Sequence, residues 1–160
     1  MGDILVGQHI ATADGAAILR LALLGSSCTS VDKEEYSWHF GFGSGGAALS
    51  LECLWRLRAS GCIAYGRDDD GQTFGLPEPV DGVAMCERLI GRSPVASLEI
   101  RDGCGDLSVE FKNGVMLEVF NGSAAYEGWT FSRKDGLLVV AQGGGRLAVC
   151  DPSAASKDLS

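Results

Sequence analysis

The chain has 160 residues, 46% hydrophobic and 21% charged, with a formal net charge of −8. That is long enough for one domain with a substantial core, and too apolar for a disordered segment. The acidity, with a pI near 4.6, argues against a nucleic-acid surface, which concentrates Lys and Arg, and favours encounter with a basic partner.

The N-terminus shows no charged-then-apolar leader, and no apolar run is long enough to cross a bilayer. The longest, AAILRLALLG, contains Arg20. The six cysteines (Cys28, Cys53, Cys62, Cys86, Cys104 and Cys150) are scattered without a CxxC pair, so no metal site is expected. They read as reduced and mostly buried, in a protein of the cytoplasm.

In chain order, the first element is DGAAILRLALLG (14–25). It is rich in the best helix formers, although Leu19, Leu21 and Leu23 also alternate as a strand would. The later stretch VDGVAMCERLIG has apolar residues at Val83, Cys86, Leu89 and Ile90, which is helical spacing. Asp81 is placed to cap it and Gly91 to end it. The parallel between the two stretches favours a helix for both.

Each stretch is followed by a strand candidate, CTSVD or VASLEI, and then by a hairpin. In the second hairpin a three-residue loop, Lys112-Asn113-Gly114, pairs Phe111 with Val115, Val109 with Leu117 and Leu107 with Val119. One face is then wholly apolar, and because a one-residue slip would invert the faces, burial selects this register over a two-residue turn. In the first hairpin a four-residue loop, Gly43 to Gly46, pairs Phe42 with Ala47, Phe40 with Leu49, Trp38 with Leu51 and Tyr36 with Cys53. Ser37, His39, Ser50 and Glu52 share its polar face. Further strand candidates are CIAYG after the first hairpin, then GWTFS, LLVVA and RLAVC after the second.

The expected architecture is therefore α+β: an internally duplicated unit of one helix plus an antiparallel β-meander. Two copies (15–66 and 80–132) share one core within a single domain, 1–150, and a flexible tail follows at 151–160. GRDDDGQTFGLPEPVDG connects the copies.

No catalytic signature stands out. His39 has serine neighbours but no Gly-x-Ser-x-Gly elbow and no motif-placed acid, so no catalytic residue is assigned. Asp68, Asp69 and Asp70 are consecutive, which is not the alternating spacing of a calcium loop. GSGG (43–46) and GGG (143–145) lack the Lys-Ser/Thr ending of a phosphate loop and read as turns. No cofactor is implied.

LLG or LIG before a strand, LECLWRL (51–57), GDLSVEFKNG (105–114), YEGW (126–129) and GGGRLAV (143–149) occur together. In this the chain resembles small uncharacterised bacterial proteins encoded beside polymorphic-toxin or contact-dependent-inhibition loci. The resemblance implies an immunity factor: a non-enzymatic module that docks an acidic surface on a cognate protein such as a basic toxin domain. Asp68, Asp69 and Asp70, with Glu52, Glu110 and Glu118, are the candidate contact residues. The alternative is a small-molecule-binding accessory domain using a cleft between the two halves. The sequence leaves the oligomeric state open.

Overall fold

A computed structural model describes residues 7–155. The chain opens with β1 (Gln8–Ile10) and α1 (Thr12–Leu23), followed by β2 (Cys28–Lys33), β3 (Trp38–Phe42) and β4 (Ala47–Leu51). Next come β5 (Leu54–Ala59), β6 (Cys62–Gly66), a short 3-10 turn at Arg67–Asp69 and α2 (Gly82–Ile90). The second half continues as β7 (Val95–Ile100), β8 (Leu107–Phe111), β9 (Met116–Phe120) and β10 (Trp129–Ser132). It closes with β11 (Leu138–Ala141), a 3-10 turn at Gly143–Gly145, β12 (Leu147–Cys150) and the helical turn α3 (Pro152–Ala155). Of the tail expected at 151–160, residues 156–160 lie outside the described residues, as do residues 1–6 of the expected domain.

The ambiguity of the first apolar stretch is resolved by burial. In α1, Gly15, Ala16, Leu19 and Leu23 are buried, while Leu21 is 91% exposed. A strand would have put Leu19, Leu21 and Leu23 on one face; a helix separates Leu21 from the other two. In α2 the Asp81 side chain accepts a hydrogen bond from the Ala84 amide (3.1 Å), which meets one of the unpaired N–H groups of the first turn. Gly91 ends the helix with φ 57°.

Two antiparallel sheets result. One has seven strands in the order β1-β12-β11-β10-β4-β3-β2, the other five in the order β6-β5-β9-β8-β7. Both hairpins take the register that burial requires: Phe42↔Ala47, Phe40↔Leu49 and Trp38↔Leu51 in the first, Val109↔Leu117 and Leu107↔Val119 in the second. The loop at 112–114 closes with Phe111 and Val115 hydrogen-bonded (2.9 Å). Inward residues of both sheets, from Phe40 and Leu49 to Trp55, Val109, Phe131 and Val139, join one hydrophobic cluster with Leu19, Leu23, Cys86 and Ile90 of the helices. Each fully buried Leu or Phe there contributes roughly 1.5–3 kcal/mol.

Two expectations need correction. Tyr36 does not pair with Cys53: β3 begins at Trp38, and Tyr36 sits 81% exposed in the turn before it. The strand that follows the first hairpin is Leu54–Ala59, ahead of CIAYG. The reason is a crossing. After Leu51 the chain leaves the seven-stranded sheet, with the Glu52 amide donating to the Gly128 carbonyl (2.8 Å), and β5 enters the other sheet beside β9. The second half crosses the opposite way, from β9 to β10, which pairs with β4. Each half thus supplies strands to both sheets. Strands β2 and β7 each carry a register shift, between Cys28 and Ser30 and between Val95 and Ser97. Helix α1 packs on β7, while α2 packs on β2.

Candidate functional site

Where β2 ends, β4 turns into β5 and the 3-10 turn follows β6, the chain forms an open cleft of about 760 Å³. Its floor is Trp38, 4% exposed. This ring meets Trp55 edge-on at 5.0 Å between centroids and Tyr65 at 6.3 Å, an aromatic cluster drawn from both sheets. Five carboxylates line the cleft (Glu34, Glu35, Glu52, Asp68 and Asp70) against two cations, Lys33 and Arg67.

Both cations are already engaged. Arg67 Nε donates to Asp68 Oδ1 (3.0 Å). Lys33 Nζ pairs with Asp70 Oδ2 and lies 5.9 Å from the Trp38 ring centroid, within cation–π range. The other Asp70 oxygen accepts from the Gly82 amide at the start of α2 (2.8 Å). Burial raises the Asp70 pKa, but the Lys33 and Gly82 hydrogen bonds and the Lys33 charge outweigh it and hold the carboxyl below its ordinary value.

Tyr65 and Trp55 lie beneath. Tyr65 is 1% exposed, and among the described residues neither its hydroxyl nor the Trp55 indole N–H has a hydrogen-bond partner. Burial, with Cys86 and the nearby aspartates adding to it, pushes the Tyr65 pKa up. The Tyr65 hydroxyl, Asp70 Oδ1 and the Trp38 Cη2 edge all lie within 2.8 Å of where a Cβ on Gly82 would sit. Gly82 is thus the residue that lets the three groups converge.

The candidate contact residues are divided by the fold. Glu52, Asp68 and Asp70 come together in the cleft. Asp69 faces inward instead, its Oδ2 accepting from the Gly66 amide (2.9 Å) to close its own turn. Glu110 and Glu118 lie on the outer face of the five-stranded sheet, where Glu110 accepts from Ser97 (3.2 Å). Glu118 is shared by Arg56 (3.3 Å) and Arg58 (3.5 Å), so this face is mixed in charge. Lys33 and Trp38, which complete the cleft, were not legible as site residues, because no spacing links them to 67–70.

His39 is held between two serines, Nε2 to Ser37 Oγ at 3.0 Å and Nδ1 to Ser50 Oγ at 2.8 Å. Glu34 approaches to 3.7 Å. Both ring nitrogens are satisfied by hydroxyls on the polar face of the first hairpin, and among the described residues no acid is within hydrogen-bond distance of the ring, as the orienting acid of a triad is. Among the described residues no group of three or more His, Cys, Asp or Glu is arranged to hold a metal ion, and no helix is long and apolar enough to cross a membrane. The cysteines are free, but only Cys28 and Cys86 are buried and Cys62 is exposed, which corrects the expectation that most are core residues.

A family model described as a family of unknown function (DUF6188) matches residues 65–151, more than half of the chain. The chain belongs to that family. The DUF6188 match starts within β6, takes in Arg67, Asp68, Asp70 and Gly82, and runs through the whole second half. Lys33, Trp38 and Glu52 lie outside it. No curated protein and no solved structure matches the chain.

Proposed function

We propose that this member of DUF6188 is a non-enzymatic protein-binding module, an immunity- or antitoxin-like inhibitor that offers an acidic surface to a basic partner such as a toxin domain. The observation that carries the reading is the cleft itself. Glu52, after β4, and Asp68 and Asp70, in the turn after β6, meet on one concave surface with three more carboxylates than cations. Such a surface steers a basic polypeptide and fixes its orientation. The test is capture of partners from the host lysate at low and high salt, with Glu52→Gln/Asp68→Asn as control. A basic polypeptide retained at low salt and lost in the variant supports the reading; retention that ignores both salt and the substitutions counts against it.

The scaffold on this reading is an internal duplication. Its support is the matching order helix, three-strand meander, crossing in each half, together with equivalent register shifts in β2 and β7. A chain built from two copies of the first unit tests it: a cooperative melt favours duplication, and an unfolded product argues against it.

A further inference from the structure

We propose that the cleft is an arginine-accepting pocket for a basic polypeptide segment, and that Lys33 fills it as an internal stand-in until the partner's guanidinium displaces it. The inference rests on the partner-binding reading and specifies which contact that partner makes.

Three observations carry it. First, Lys33 places its ammonium against Asp70 and over the face of Trp38. A cation is therefore already accepted at this point, by a carboxylate and an aromatic ring together. Second, the Lys33 side chain is 44% exposed and the Asp70 side chain 21%, so Lys33 reaches the pair from the solvent side and can leave on its flexible stem. Third, the Tyr65 hydroxyl is buried, has no partner among the described residues, and lies beneath the Trp38 floor, where it converges with Asp70 Oδ1 and the Trp38 edge on Gly82. An unsatisfied buried hydroxyl is costly, and here it is an acceptor that a compact ammonium bonded to Asp70 Oδ2 leaves unused. A guanidinium has five N–H donors in a planar fork. It can donate to Asp70, stack on the ring that Lys33 vacates and extend a further N–H toward Tyr65, which Lys cannot do from one nitrogen. Glu34, Glu35 and Glu52 around the mouth favour a segment carrying further positive charge.

The occupant is a polypeptide because the cleft is open and its rim is charged on several sides, whereas small-ligand pockets enclose most of the ligand in apolar walls.

The test is titration of the full chain with an oligo-arginine peptide at low salt, read by tryptophan emission and calorimetry. Controls are the citrulline form of the peptide, oligo-lysine and free arginine. The wild-type chain should bind oligo-arginine more tightly than oligo-lysine and should not bind the citrulline peptide. Lys33→Met, which removes the competing cation, should tighten binding about three- to tenfold, and Asp70→Asn and Tyr65→Phe should each weaken it by a similar factor. Melting curves identify any variant that fails to fold, and Glu52→Gln at the rim then serves as the second carboxylate variant. Unchanged or weaker binding by Lys33→Met overturns the proposal. So does free arginine matching the peptide, or a wild-type chain that binds no oligo-arginine. If oligo-arginine binds but only Glu110→Gln and Glu118→Gln reduce it, the cleft is the wrong surface while the partner-binding reading stands. Loss of salt-sensitive capture from the lysate would sink that reading separately.

Discussion

Trp38 on β3 and Trp55 on β5 meet edge-to-face across the two sheets, centroids 5.0 Å apart and planes at 74°. One ring forms the floor of the acidic cleft and the other is fully buried, so the cleft is built directly on the core. Trp55→Ala should cost about 3–5 kcal/mol in urea unfolding, as large aromatic deletions in cores do. Trp38→Ala should cost a similar amount and also remove the cleft floor. An unfolding midpoint within error of wild type for either would show that the cluster is not part of the cooperative core.

Tyr65→Phe should behave differently. It removes a buried hydroxyl that has no partner among the described residues, leaving the ring in place, so stability should stay level or rise by about 1 kcal/mol. A clear loss would mean that the hydroxyl is bonded in solution.

Gly82→Ala should destabilise by about 1–3 kcal/mol, as overpacking does. The added methyl would fall on the Tyr65 hydroxyl, Asp70 Oδ1 and the Trp38 edge, which are held from different elements and have no common direction in which to yield. A thermal melt decides it, with the exposed Gly45, whose added methyl would meet nothing within 4 Å, as the comparison site.

Stability should respond to pH at both ends. Asp70 has a folded pKa below the ordinary value of 3.8. Its contribution is therefore present above that value and disappears as the pH falls through the folded one. Lys33→Met should flatten the acid limb. The buried thiols act in the opposite sense. Burial raises Cys28 to about 11 and Cys86 to about 12, from 9.0. Their contribution is full below 9.0 and declines as the pH rises toward the folded values, because the unfolded chain releases those protons first. Urea midpoints on either side of 9.0 test this, and Cys86→Ala should reduce the alkaline decline. In thiol labelling of the native protein Cys62 should react first, with Cys28 and Cys86 protected until unfolding.

Asn121 ties the second half together. Its side-chain amide donates to the Cys104 carbonyl (3.0 Å) and the Gln142 carbonyl (3.1 Å), while its backbone amide donates to Asp106 (2.8 Å). Asn121→Ala strands the Cys104 carbonyl and leaves the Gln142 carbonyl only the Gly145 amide (3.3 Å), and should cost about 1–3 kcal/mol by denaturant titration.

The hairpins were legible because burial of one face dictates register, and only one loop length in each satisfies it. The crossing after Leu51 was not, for a physical reason. Leu49, Leu51, Trp55 and Leu57 are all buried at even spacing, and the alternation runs through Cys53 without a break, since the inner faces of both sheets point at the same core. A period of two reports which side is buried, and carries no mark of which sheet the strand belongs to. Three-residue β1 is too short to show a period at all. The cleft was half legible: runs of carboxylates are visible in a sequence, whereas the lysine and tryptophan that turn them into a pocket arrive from strands about thirty residues away.

The two crossings interleave the halves: β10 lies beside β4 in one sheet, and β5 beside β9 in the other. During synthesis, the ribosome has released β4 and β5 long before β9 and β10 exist to cover their edges. Neither sheet can be completed from the N-terminal half, so nascent chains hold open strand edges until the C-terminal half emerges. Pairings this distant in sequence close slowly, and the interval is when this protein is most exposed to chaperones and to aggregation.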